Sequence, residues 1–152
     1  MKAIQFLKEN LLCPFKLVIA GDGELRSLIE SLIEDLDLSE EVILLGRRDD
    51  IPRLMSACDV FVLSSNYEGL PTVLIEALAC QAQVVSTDVS GVHEIVGTCG
   101  RVVPTKNPIS LSDAIKDKLQ NSNKNVLGQQ YVKNKFNLDL ISDEWLKIYN
   151  EK

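Results

Sequence analysis

The chain has 152 residues, a formal net charge of −6 and an apolar fraction of 45%. That length suits one domain with a real core. An acidic balance without a basic stripe argues against a nucleic-acid partner. The single histidine and four scattered cysteines (Cys13, Cys58, Cys80 and Cys99) lack the paired spacing of a metal site, so no metal ligands are expected.

The first segment, Met1 to Leu12, places Ile4, Leu7 and Leu11 on one helical face with Phe6 beside it. It has no signal-peptide cleavage region, and no apolar run approaches the length of a membrane span. Those features, with cysteines that read as reduced, give the expectation of a cytoplasmic protein without a transmembrane segment. Phe15–Ala20 reads as a buried strand, followed by a helix at about Glu24–Leu36. That helix carries Leu25, Leu28, Ile29, Leu32, Ile33 and Leu36 as one apolar stripe. Next come a strand at Val42–Leu45, a helix at Ile51–Ala57 and a strand at Val60–Ser64. The last of these is apolar without alternation, which predicts a central position in a parallel sheet. Asp49 and Asp50 read as a turn and cap for the helix at Ile51.

The segment Ser64 to Ala79 is the most informative. Glu68 and Glu76 stand eight residues apart, on either side of a predicted helix start at Pro71. Backbone amides around Leu70, Thr72 and Val73 are expected to point into the crevice beyond the preceding strand, as an anion site. Carboxylates accept hydrogen bonds from hydroxyls, so the pattern suits a ligand with both phosphates and sugar hydroxyls. Glu68 alone also fits a plain partner for the helix dipole. Glu76 is harder to read as structural, because the residues around it, Val73 to Ala79, predict a helix buried nearly all round. Cys58 and Cys80 lie in apolar helical text, as small hydrophobes.

Strands at Gln83–Ser86 and Arg101–Val103 flank a short helix at Gly91–Val96. Alternation of strand and helix predicts an α/β fold, a Rossmann-like three-layer α/β/α domain with a parallel sheet. Helices at Pro108–Gln120, Lys124–Lys135 and Leu138–Asn150 follow it, and the pair Trp145 and Tyr149 reads as core. The division is residues 1–12 as a partial N-terminal helix, 15–104 as the α/β core and 108–152 as C-terminal helices, all in one domain.

Glu68 and Glu76 resemble the E-x7-E motif of retaining glycosyltransferases of the GT-B architecture, family 4. The stretches Leu17 to Arg26, Val42 to Gly46, Asp59 to Ser65 and Val84 to Val96 are similar to that family as well. The resemblance implies a nucleotide-sugar-binding domain, the C-terminal half of an enzyme that transfers a hexosyl group in glycan biosynthesis. It needs no cofactor or metal beyond the UDP-, GDP- or ADP-linked donor. Glu68 would hold sugar hydroxyls near the reacting carbon, as the catalytic position. Gly69, Leu70, Pro71, Thr72 and Val73 would line the sugar and diphosphate, and Glu76 would take the ribose hydroxyls. Gly46, Arg47 and Arg48 would lie against the nucleobase.

The resemblance implies that the family's acceptor-binding domain and basic pair are expected to lie outside these residues, and Lys2 reads as helix surface. The isolated chain is therefore expected to bind weakly and catalyse little, with the missing domain as partner. The last helix of the family packs toward that domain. Gln81, Gln83 and His93 replace residues common in the family (Gly, Pro and Pro); Gln81 is expected to carry backbone strain, and His93 to be a solvated residue at a helix start.

Two other readings compete. Gly21-Asp22-Gly23 opens like a dinucleotide fingerprint, but position 26 is Arg26 rather than glycine. A non-catalytic nucleotide-sugar-binding or assembly module is the serious alternative, favoured if Ile4, Phe6 and Leu7 form an exposed apolar edge.

Overall fold

The computed structural model describes residues 1–121 and 123–150. Helix α1 (Lys2–Asn10) leads into β1 (Leu17–Ala20), α2 (Arg26–Asp35), β2 (Val42–Gly46), α3 (Ile51–Ala57) and β3 (Val60–Leu63). Then follow α4 (Thr72–Ala79), β4 (Gln83–Thr87), α5 (Val92–Val96) and β5 (Arg101–Val103). The chain closes with α6 (Pro108–Gln120), α7 (Val126–Lys135) and α8 (Leu138–Asn150).

Alternate residues of the inner strands explain the layering. Val60 and Val62 of β3, Val85 of β4 and Val103 of β5 join one core with Ala3, Ile4 and Leu7 of α1, Ile33 of α2 and Leu111 and Ile115 of α6. Their neighbours Phe61, Leu63, Val84 and Val102 join a second core with Met55 of α3, Leu74 and Leu78 of α4, Ile95 of α5 and Val132 of α7. A strand apolar on both faces needs a cover on each, and the crossover helices supply it. This is the three-layer α/β/α arrangement, with every strand pair parallel.

The sheet departs from expectation in one respect. Its strands form two hydrogen-bonded groups, β1–β2 and β3–β4–β5, so β3 pairs with β4 alone and is not flanked on both sides. An apolar run reports burial of a strand's two faces; it carries no information about hydrogen bonding along its two edges. The two groups are joined instead through side chains, since Leu17 and Ile19 of β1 pack on the same core as Val60 and Val62. The far face of β1–β2 has no such cover: Val18 is 46% and Ile43 is 41% exposed.

Other apolar expectations are corrected in the same way. Of the α2 stripe, Ile33 is buried and Ile29 and Leu36 pack beside it, whereas Leu25, Leu28 and Leu32 are exposed. A stripe this wide exceeds the one face that α2 has against the core. Trp145 and Tyr149 are exposed, with ring centroids 6.2 Å apart, and α8 buries none of its residues. They are not core. By contrast α1 docks fully, with Ile4 and Leu7 buried, so the exposed apolar edge considered for an assembly module is not formed. No helix among the described residues is long and apolar enough to cross a membrane.

Candidate donor site

The site lies where β3 ends. Beyond Leu63 the chain leaves the ladder, and Ser65 to Pro71 make the connection to α4. The Ser65 hydroxyl donates to Glu68 Oε1 at 2.7 Å, within the range of a bond to a charged acceptor. Glu68 is half-buried, and among the described residues its Oε2 has no protein partner. An ionised carboxylate accepts only. One oxygen is thus held by the protein while the other stays open to a donor from outside.

The helix start differs in detail from expectation. Pro71 is the residue that caps α4, buried, rather than its first helical residue. The Thr72 amide is not free: it donates to the Leu70 carbonyl at 2.9 Å. The tight turn at Leu70–Pro71 brings the two groups together. Among the described residues the amides of Gly69, Leu70 and Val73 make no backbone hydrogen bond outside α4, so these are the available donors. Space around Gly69 is open: a Cβ added there would meet nothing within 4 Å.

Glu76 also departs from the reading that α4 is buried all round. The helix buries Leu74, Ala77 and Leu78, and Thr72, Glu76 and Ala79 stand exposed on another side. The hydrophobicity of its neighbours concealed an open face. The Glu76 carboxylate has no hydrogen-bond partner among the described residues, and its exposure leaves both oxygens to solvent or ligand.

Gly46 ends β2 at φ +66°, and its carbonyl accepts from the Gly21 amide at 2.8 Å. The next residues, Arg47 and Arg48 with Asp49 and Asp50, line an open hollow of about 380 Å³. The Arg48 guanidinium donates twice to Asp50, both bonds at 2.8 Å. That pairing raises the Arg48 pKa and lowers that of Asp50, the shared hydrogen bond being the main cause in each. So Asp50 sits at the cap position of α3, but its carboxylate serves Arg48 and caps nothing. Arg47 is exposed, like Arg48, but makes no side-chain hydrogen bond or ion pair among the described residues. Neither Glu68 nor Glu76 is joined to Gly46, Arg47 or Arg48 by a hydrogen bond or ion pair among the described residues.

The end of β4 and the loop after it contribute residues that sequence reasoning left without a role. Buried Thr87 donates its hydroxyl to the Ser65 carbonyl at 2.6 Å. Gly91, at φ +75°, lies against the Glu68 loop so closely that an added Cβ would sit 2.9 Å from Leu70 Cδ1. A glycine between a strand and a helix was the one available signal for that contact. Thr87 falls in the Val84–Val96 stretch that resembles the family, but nothing in the sequence assigned it a role. His93 is exposed near the start of α5, and its Nε2 lies 3.0 Å from Asp88 Oδ1.

The comparisons decide the family. The model for glycosyl transferases group 1 matches residues 1–135. The chain belongs to this family. Over 133 residues it is 40% identical to an N-acetylgalactosaminyltransferase of Campylobacter jejuni that acts on a diphospho-undecaprenol-linked saccharide, covering 82% of this chain and 35% of that protein. A second C. jejuni enzyme, an alpha-1,4-N-acetyl-D-galactosaminyltransferase, is 33% identical over 99% of this chain and 43% of its own length. The chain thus spans less than half the length of these curated relatives. The fold matches a Rickettsia africae glycosyltransferase with a TM-score of 0.89 at 23% identity, over 99% of this chain and 42% of that one. It also matches Anabaena HepE, solved with UDP and glucose, with a TM-score of 0.83 at 24% identity, over 99% and 44%. The chain is therefore a glycosyltransferase family 4 domain of the GT-B architecture, matching 42% and 44% of these two solved chains.

Proposed function

We propose that this group 1 domain holds the nucleotide-sugar donor of a retaining hexosyltransferase in glycan biosynthesis, as a single donor-binding domain over residues 1–152. Glu68 holds hydroxyls of the transferred sugar. The amides of Gly69, Leu70 and Val73 face the sugar and diphosphate, with Pro71 and Thr72 fixing the turn. Glu76 takes the ribose hydroxyls, and Gly46, Arg47 and Arg48 flank the base. In the transfer, the bond from the anomeric carbon to the diphosphate oxygen breaks, an acceptor hydroxyl oxygen bonds that carbon on the same face, and the hydroxyl proton passes to the departing diphosphate.

The observation that carries this reading is the Glu68 carboxylate, tethered through one oxygen and open at the other, on the same β3–α4 connection as the unpaired amides of Gly69 and Leu70 in the loop and Val73 at the start of α4. That is the donor-and-acceptor set a sugar diphosphate requires. UDP in the HepE structure favours uracil as the base. Acceptor choice, and most of the charge stabilisation for the leaving diphosphate, belong to polypeptide matching the remainder of the relatives. The exposed apolar side of α8, with Leu138, Trp145 and Tyr149, is suited to pack against it.

Titration calorimetry with UDP, GDP and ADP tests the reading. UDP is expected to bind most tightly, and Glu76→Ala to weaken it about tenfold, the value of one hydrogen bond to a charged acceptor. Binding of none of the three would overturn the proposal. Equal affinity for the wild type and Glu76→Ala would remove Glu76 from the ribose.

A further inference from the structure

We infer that Thr87 and Ser65 are positioning residues for Glu68, forming a two-step relay from the end of β4 to the donor sugar. The inference rests on the donor-site reading above and adds to it two residues and a loop.

The β3–β4 ladder ends at the pair Leu63 and Ser86. One residue further, Thr87 continues the contact with its side chain, donating to the Ser65 carbonyl at 2.6 Å; the Leu63 carbonyl lies farther, at 3.4 Å. A hydroxyl has one proton to give, so the shorter contact takes it. This fixes the backbone of Ser65, and the Ser65 hydroxyl then fixes Glu68 Oε1 at 2.7 Å. Thr87 is 4% exposed and β-branched, which restricts its χ1 and makes it a firm anchor. The far end of the loop is held as well. Gly91, at φ +75°, packs on Leu70, Gly69 and Pro71: an added Cβ would sit 2.9 Å from Leu70 Cδ1 and 3.7 Å from both the Gly69 carbonyl oxygen and Pro71 Cδ. Both ends of Ser65–Pro71 therefore rest on the β4–α5 connection, and Glu68 lies between them.

A carboxylate on a loop would otherwise sample several rotamers, and ordering it on binding costs affinity. Thr87 and Ser65 do that ordering before the sugar arrives. Their effect should fall on the sugar and leave the nucleotide alone.

The readout is the sugar increment, the ratio of the Kd for UDP to the Kd for a UDP-sugar, measured on this chain by calorimetry. UDP-glucose, UDP-galactose and UDP-N-acetylgalactosamine serve as probes. Ser65→Ala and Thr87→Val are expected to cut the increment about tenfold for the sugar that shows one, with UDP affinity changed less than about twofold. Thr87→Ser, which keeps the hydroxyl, should restore it. In a Glu68→Ala background, Ser65→Ala should have no further effect, because the two act through one contact. Should Thr87→Val fail to fold by circular dichroism, Ser65→Ala and its cycle with Glu68→Ala decide the question. An increment that depends on Glu68 but not on Ser65 overturns this inference alone. No increment with any probe, or no binding of UDP, overturns the Glu68 assignment and this inference with it.

Discussion

The side-chain amide of Gln81 donates to Gln129 Oε1 at 2.9 Å, joining the end of α4 to α7. Gln81 does this from a left-handed backbone, φ +62°. Its amide donates to the Leu78 carbonyl and the Ala82 amide to the Ala77 carbonyl, the paired bonds of a Schellman ending. Glycine is usual at that position because a Cβ there costs about 1–2 kcal/mol. The strain expected at Gln81 is present, and the bond to Gln129 offsets part of it.

Two substitutions separate these terms. Gln81→Gly should stay within about 0.5 kcal/mol of the wild type in urea unfolding, since relief of strain offsets a half-exposed hydrogen bond. Gln81→Val should lose about 2 kcal/mol, because a β-branched residue fits the left-handed region poorly and cannot make the bond. Equal stability of the two variants would show that the backbone, and not the side chain, relaxes.

Most of the fold was legible because its signals are local. Helix α3, β5, α6 and α8 fall at the predicted limits, set by Pro at α3 and α6 and by apolar periodicity. What was not legible depends on neighbours far along the chain. The division of the sheet turns on which edges meet, and an apolar strand such as Val60–Leu63 is silent on that. The exposed side of α4 that carries Glu76 was hidden because Val73, Ile75 and Ala79 are as apolar as the residues that face the core. In the site, Glu68 stood out by its eight-residue spacing from Glu76, whereas Gly46 and Gly69 were implied by the family resemblance. Ser65 lay in the Ser64–Ala79 segment and Thr87 in the Val84–Val96 stretch, neither with a role, because their hydrogen bonds span residues that only folding brings together.

Gly128 should be intolerant where Gly69 is tolerant. A Cβ at Gly128 would stand 2.7 Å from Leu78 Cδ2 and 2.8 Å from Asn125 Cγ. Asn125 cannot readily give way: its amide donates to the Cys99 carbonyl at 2.7 Å and its oxygen accepts from Gly128 at 2.9 Å. Gly128→Ala should therefore cost about 1–3 kcal/mol through overpacking of α7 on α4. Gly69→Ala, with open space around it, should change stability by less than about 0.5 kcal/mol. Chemical denaturation of the two variants side by side checks both, and similar losses would contradict the packing described.

Cysteine reactivity should follow burial. Cys58 packs against the second core and its thiol donates to the Met55 carbonyl at 3.2 Å. Burial, the largest cause, pushes its pKa up. The thiolate is the reactive form, so at pH 8 iodoacetamide should modify exposed Cys13 at least about tenfold faster than Cys58. The sign for stability follows from linkage. A pKa higher in the folded chain gives a contribution that is complete below the unfolded thiol value, about 8.5, and declines as pH rises through the folded value. Mass spectrometry of timed alkylation reads the order of modification, and equal rates for Cys13 and Cys58 would contradict the burial.

Catalysis should require more than these residues. Stabilising the leaving diphosphate is a large part of such a transfer, and losing a single aimed donor costs about 3–4 kcal/mol in comparable sites. Within the proposed site the described groups toward the diphosphate are backbone amides, while Arg48 is occupied by Asp50. The matching relatives are more than twice as long. The chain of 152 residues is therefore expected to show no transfer from UDP-glucose or UDP-N-acetylgalactosamine. Fusion to the remaining, N-terminal portion of the C. jejuni relative should restore it, measured as radiolabelled sugar carried to a polyprenyl-diphosphate saccharide. In the fusion, Glu68→Ala should remove at least about 99% of the rate, the scale of an aimed catalytic contact. His93→Ala should leave it within about twofold, because His93 is exposed and bonded to Asp88 rather than to the Glu68 loop. Efficient transfer by the chain alone would place the diphosphate clamp within these residues, and Arg47 would be the first side chain to test for it.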